Sequence, residues 1–289
     1  MNAETTNTET MNAKTYEDTQ DTLAVSHPSP TIAKLKTSRL DTRVRDLLLN
    51  GLTFSSGAVD AISFLELGKV FTAFMTGNIA FLGLRVADAG GPAWSAIIAA
   101  MASFAVGVYL GTLIVGKGEE TSGVWPRQVT VALSVALIGH VGFQIVWFAV
   151  GGHPSADVAN WLVALWGVAM GVQSAAVRSL HVKGVFTTAA TATFIFFFGD
   201  FATWTRSAEE MRRLRGVLVS LFLGATAGGL LLAHARIFAP ALPLIATAIV
   251  AAIAAVFFRK FNRRMHQTVP FDIEKNSRMN SARTQQPAS

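Results

Sequence analysis

Between two polar ends the chain reads as eight apolar runs, at 47–67, 70–84, 94–116, 129–150, 158–177, 185–204, 217–233 and 242–258. Most approach the twenty or so residues that a helix needs to cross a bilayer core of about 30 Å. The second run is short and carries Thr72, Thr76 and Asn78, which predicts a half-helix or a tilted crossing packed inside the bundle. The pattern therefore predicts an all-α, polytopic transmembrane bundle of six to eight membrane segments. Eight full crossings, four plus four, is the preferred arrangement. Residues 1–44 are polar, lack an apolar run and are predicted to be a disordered tail, as are residues 262–289. With no apolar core in the first thirty residues, the first membrane helix is the expected insertion signal.

Two stretches spell nearly the same phrase. Gly57-Ala58-Val59-Asp60-Ala61 is followed by a Val70-Phe71-Thr72 run, and Gly171-Val172-Gln173-Ser174-Ala175 by a Val185-Phe186-Thr187 run. Downstream, 103–111 aligns with 220–228, pairing Gly107 with Gly224 and Gly111 with Gly228. This predicts an internal duplication, with one copy at about 45–150 and the other at about 157–261, an arrangement frequent among transporters. An even number of crossings per copy would point both the same way. The glycine ridges are read first as ordinary close helix packing.

Composition agrees, with 51% hydrophobic and only 15% charged residues and a mean hydropathy of +0.43. The net charge of +6 reflects topology better than nucleic-acid binding, because Lys and Arg sit in flanks and loops. With eight crossings, fourteen of them fall on one side and six on the other, which predicts both termini in the cytoplasm and a plasma (inner) membrane location. The absence of cysteine excludes a disulfide framework, a thiolate nucleophile and a cysteine metal site.

The run Ser56-Gly57-Ala58-Val59-Asp60-Ala61-Ile62-Ser63-Phe64-Leu65, the block Met75-Thr76-Gly77-Asn78 and the later Gly171 to Arg178 block resemble the YoaK-type membrane proteins, the family of domain of unknown function 1275. The resemblance covers roughly residues 45–260 and implies a bacterial-type multi-pass membrane fold without an assigned activity. This chain departs from the family pattern at Thr191-Ala192-Thr193, where a methyl stands in place of the hydrogen of a Thr-Gly-Thr.

Ionisable groups inside apolar spans point most directly to function, since one at the bilayer centre costs about 2.5–3.5 kcal/mol on the lenient scale. Asp60 stands out, with Ser56 one turn before it and Ser63 one turn after on the same face. Two readings stay open: a hydrogen-bonded carboxyl that fixes packing, or a proton or cation site. Glu66 and Asp200 lie nearer span ends and rank lower. Thr72 with Thr76, and Thr187 with Thr191, are each one turn apart and could line a polar path, or bond their own helix carbonyls. Asn78 beside Gly77 could open its helix toward a ligand. Gln173 and Arg178 complete the candidate path, Arg178 as an anion contact or an interfacial marker.

No nucleophile elbow, zinc motif, Walker loop or dinucleotide loop is present, and the six histidines have no ligand spacing. Asp60 and Asp200 lack the flanking residues of intramembrane aspartyl proteases. The expectation is a non-enzyme with no cofactor or metal, in contact with the lipid bilayer and an unknown small solute, with no nucleic-acid partner. A homo-oligomer is compatible with the sequence. The leading function is a secondary transporter or permease, in its sharpest form proton-coupled through Asp60, with Asp60→Asn expected to keep the fold and lose coupling. The alternative is a non-catalytic scaffold or assembly factor. A transporter needs a water-reachable polar cavity, whereas a scaffold can be packed dry.

Overall fold

The computed structural model describes residues 39–116, 124–182, 194–195, 198–199 and 208–258. In chain order the helices are α1 (Arg39–Glu66), a short α2 (Met75–Val86), α3 (Trp94–Val115), α4 (Arg127–Ala149), α5 (Ala156–Arg178), α6 (Ala208–His234) and α7 at 241–258. Six of these are long and apolar enough to cross a membrane. The 12 residues of α2 extend only about 18 Å, so the second apolar run is no full crossing and the preferred count of eight loses that member. The sixth run, 185–204, falls largely outside the described residues, as do both tails. The predicted N-terminal tail loses residues 39–44 to α1.

Local chemistry explains the boundaries. Gly68 (φ 94°) and Lys69 (φ 64°) reverse the chain after α1. Gly116 at φ 68° ends α3, and Ser155 caps α5 by accepting the Val158 N–H at 3.5 Å.

Two glycine-lined crossings dominate the packing. Along α1 and α6, Gly57 lies against Leu221 O and Ala225 N, Gly224 against the Phe54 backbone and Gly228 against Ala58. Along α3 and α5, Gly171 lies against Phe104 O and Val108 N, Gly107 against the Val168 backbone and Gly111 against Val172 and Ala175. A Cβ at Gly171 would stand 2.7 Å from Val108 N, so no larger residue fits without separating the helices. The ridges do serve close packing. In both crossings the residue numbers rise together, so each pair runs parallel.

The remaining directions follow from similar contacts. Gly139 of α4 meets Leu165 and Ala169 of α5, joined to it by a short turn. Gly51 meets Val250, while Ser55 meets Pro243 and Thr247, so α7 opposes α1. One apolar cluster joins Leu48 and Leu52 to Val172 and Ala176, another Val59 and Ile62 to Leu162 and Trp166. Helix α5 therefore opposes α1. Helices α1, α4 and α6 run one way, and α3, α5 and α7 the other. The second copy of the repeated phrase thus points opposite to the first, contrary to the expectation of two copies in one direction. The reason is that α2 turns back without crossing, which leaves an odd number of described crossings between the start of α1 and the start of α5.

Each end of the bundle has its own tie. Where α1 begins, Asp46 accepts from Arg45 at 2.8 Å and from Arg213 of α6 at 3.0 Å. At the opposite end the Arg236 guanidinium pairs with Glu66 and donates to Gly152 O at 2.9 Å, while the Trp147 indole donates to Arg236 O at 3.2 Å.

Candidate functional site

After the Gly68-Lys69 reversal the chain does not continue as a helix. It re-enters the bundle beside α1 as non-helical backbone, with Val70, Thr72 and Ala73 buried, then leaves as α2. Bare backbone at membrane depth is tolerated only where protein or trapped water satisfies it. Here Asp60 does so. Its Oδ1 accepts from Thr72 N at 2.7 Å, Ala73 N at 2.8 Å and Thr72 Oγ1 at 3.4 Å, and its Oδ2 accepts from Phe74 N at 3.0 Å. The carboxylate is buried, about one and a half turns from the end of α1 rather than at mid-span.

Other predicted residues complete the latch. Ser63 Oγ donates to Val70 O at 2.7 Å. Asn78 brackets Phe71 like a strand partner, its Oδ1 accepting from Phe71 N at 3.0 Å and its Nδ2 donating to Phe71 O at 2.6 Å. Asn78 therefore closes the hairpin instead of opening a helix to a ligand. Phe71 packs in one aromatic cluster with Phe64 and Phe81, with centroids 5.2 and 6.0 Å away. Thr72 and Thr76 do not share a face, because Thr72 precedes α2 and is buried whereas Thr76 is exposed in its first turn.

The candidates on α5 separate. Gln173 Nε2 donates to Ser56 Oγ at 3.1 Å across the α1–α5 contact, and Ser56 Oγ donates to Leu52 O at 3.0 Å. Arg178 is exposed at the end of α5, an interfacial position. Thr187, Thr191 and Asp200 lie outside the described residues. A groove of about 310 Å³ reaches Asp60, but Gly57, Phe64, Phe71, Phe74 and Leu221 make its walls apolar.

A second polar group was not singled out from the sequence. His140 and Gln144 are buried one turn apart on α4, and His140 meets Trp166 of α5 edge-on. Both ring nitrogens of His140, both amide atoms of Gln144 and the Trp166 Nε1 are buried with no hydrogen-bond partner. Each such atom costs about 1–3 kcal/mol if left unpaired. The signal in the sequence is a polar pair at i, i+4 in an otherwise apolar span, with no metal-ligand spacing.

The six apolar helices agree with what comparison with known proteins finds. A family model described as protein of unknown function (DUF1275) matches residues 48–256. The chain belongs to this family. The UPF0700 transmembrane protein YoaK of Bacillus subtilis (strain 168) is 37% identical over 150 residues, a match covering 52% of this chain and 64% of that protein. No solved structure matches the chain. Members of the DUF1275 family have no activity attached to this description, but the transmembrane relative and the six apolar helices make the chain an integral multi-pass membrane protein.

Proposed function

We propose that this DUF1275 protein is a secondary carrier for a small solute, built from two inverted halves, each with three crossings. The observation that carries the reading is the contact-by-contact correspondence of the two crossings. The phrase alignment pairs Gly57 with Gly171, Phe104 with Leu221 and Val108 with Ala225. Gly57 rests on Leu221 and Ala225, as Gly171 rests on Phe104 and Val108. Likewise Gly224 rests on Phe54 and Gly107 on Val168, the aligned residue. Inverted repeats whose seam meets a broken helix favour alternating access around that seam. In this reading Asp60 acts as the latch of the re-entrant hairpin rather than as the proton carrier.

Sidedness supports a cytoplasmic placement of both termini in the plasma membrane. Among the described residues Arg39, Arg43, Arg45, Arg127, Arg178, Arg212, Arg213 and Arg215 lie at the end where α1 begins, against Lys69, Arg85 and Arg236 at the other. Reporter fusions at each terminus test this, and opposite compartments would refute it.

The apolar lining of the groove beside Asp60 favours the second reading, a scaffold packed dry. The chain contains no cysteine, so single cysteines decide between the two on a silent background. Cysteine at Ser56 or Gln173, on the seam between the halves, should react with a membrane-impermeant maleimide in native membranes if the seam opens to water. Protection in native membranes, with full labelling after denaturation, would refute the carrier and leave the scaffold.

A further inference from the structure

We propose that the α4–α5 seam around His140, Gln144 and Trp166 is a binding site for a small neutral guest bearing hydroxyl hydrogens, either water or a small polyol. The polar atoms there are of mixed kind. A neutral His140 offers one donor and one acceptor, the Gln144 amide offers both, and the Trp166 indole offers a donor. All are buried without a partner, with His140 1%, Gln144 7% and Trp166 0% exposed. A hydroxyl group donates and accepts from one atom, so it answers both kinds.

The surroundings exclude a charged guest and limit its size. Phe143 and Trp166 belong to an apolar cluster with Val59, Ile62, Leu162 and Met170, which offers no counter-charge. Asp60 shares α1 with Val59 and Ile62, but its carboxylate is engaged by the hairpin. Phe143 stacks on Trp166 at 3.5 Å and His140 meets the same indole edge-on at 6.3 Å, which fixes the three side chains as a rigid wall. The inference goes beyond the carrier reading, since a guest can bind here whether or not the seam at Ser56 opens.

The sign of a stability change tests it. Gln144→Leu and His140→Leu remove polar atoms with little change in volume, measured on the full chain in detergent free of polyols. If a guest fills the site, displacing it strands the remaining polar atoms, and the unfolding midpoint falls by about 4 °C or more. If the site is dry, removing unpaired atoms leaves the midpoint unchanged or raises it, which overturns the proposal. Should the variants fail to fold, the wild-type chain labelled on histidine answers instead, with His140 assigned by substituting the other histidines. Cross-relaxation of its ring protons with water in the polyol-free sample assigns water. Cross-relaxation with added glycerol assigns a polyol, and neither signal overturns the site.

Discussion

The hairpin at Asp60 and the seam at His140 lie in one apolar bundle, yet their polar groups are treated in opposite ways. At the hairpin, four donors meet the two oxygens of a single carboxylate, and a neighbouring amide brackets Phe71. At the seam, five polar atoms on three side chains have no protein partner. A cluster whose donors all have acceptors gains little from a further ligand. An unsaturated one has free energy to gain from a guest. The residue that ranked first by charge is engaged by the hairpin, and the unpaired polar atoms belong to neutral residues.

The largest effect that would break this comparison is at Asp60. Asp60→Ala leaves three backbone N–H groups without their acceptor, each costing about 1–3 kcal/mol. The folded protein is expected to vanish from the membrane fraction. Asp60→Asn should also be costly, because an amide placed at Oδ2 sets its own donor against the Phe74 N–H. Normal accumulation of both variants would show that the hairpin does not depend on the latch.

Asn78→Ala should rank next. It removes both contacts to Phe71 and strands a buried N–H and C=O, at about 2–4 kcal/mol. Thermal unfolding in detergent measures it, and a change below that of a surface substitution would mean that the aromatic stack alone holds the turn. Arg236→Ala should have a smaller effect, about 1 kcal/mol, because the pair with Glu66 is partly exposed, at 32% and 22%. The Gly152 contact goes with it, so Glu66→Gln, which spares that contact, should cost less still.

Much of this was legible in the sequence. The apolar runs marked the long helices, and the glycine phrases marked the faces that meet, because close approach admits no other residue. The polar content of 70–84 marked the hairpin. Direction was not legible: whether a run of fifteen residues crosses or turns back depends on what satisfies its backbone, and the acceptor, Asp60, is twelve residues away from Thr72. The α4–α5 seam was hidden for a different reason. His140 and Gln144 look like any buried polar pair until the surroundings are known, and no side chain there, Trp166 included, makes a hydrogen bond to either.

The smallest predicted effect sharpens the comparison with a closed contact on α7. Along α7, the buried residues Pro243, Thr247, Val250, Ala251 and Ala254 repeat the spacing of Ala136, His140, Phe143, Gln144 and Trp147 on α4. There the polar atoms are paired: Ser55 Oγ donates to Pro243 O at 3.2 Å and lies 2.9 Å from Thr247 Oγ1. Thr247→Val should cost about 1 kcal/mol, since Ser55 keeps Pro243 O. Ser55→Ala should cost no more, because the Thr247 hydroxyl can turn to Pro243 O, its own i−4 carbonyl. The double variant removes donor and acceptor together and should fall short of the sum by about 0.5 kcal/mol or more, the mark of residues in contact. Additive costs would mean that the two hydroxyls do not share a bond, and the α1–α7 contact would then be no closed counterpart to the seam at His140.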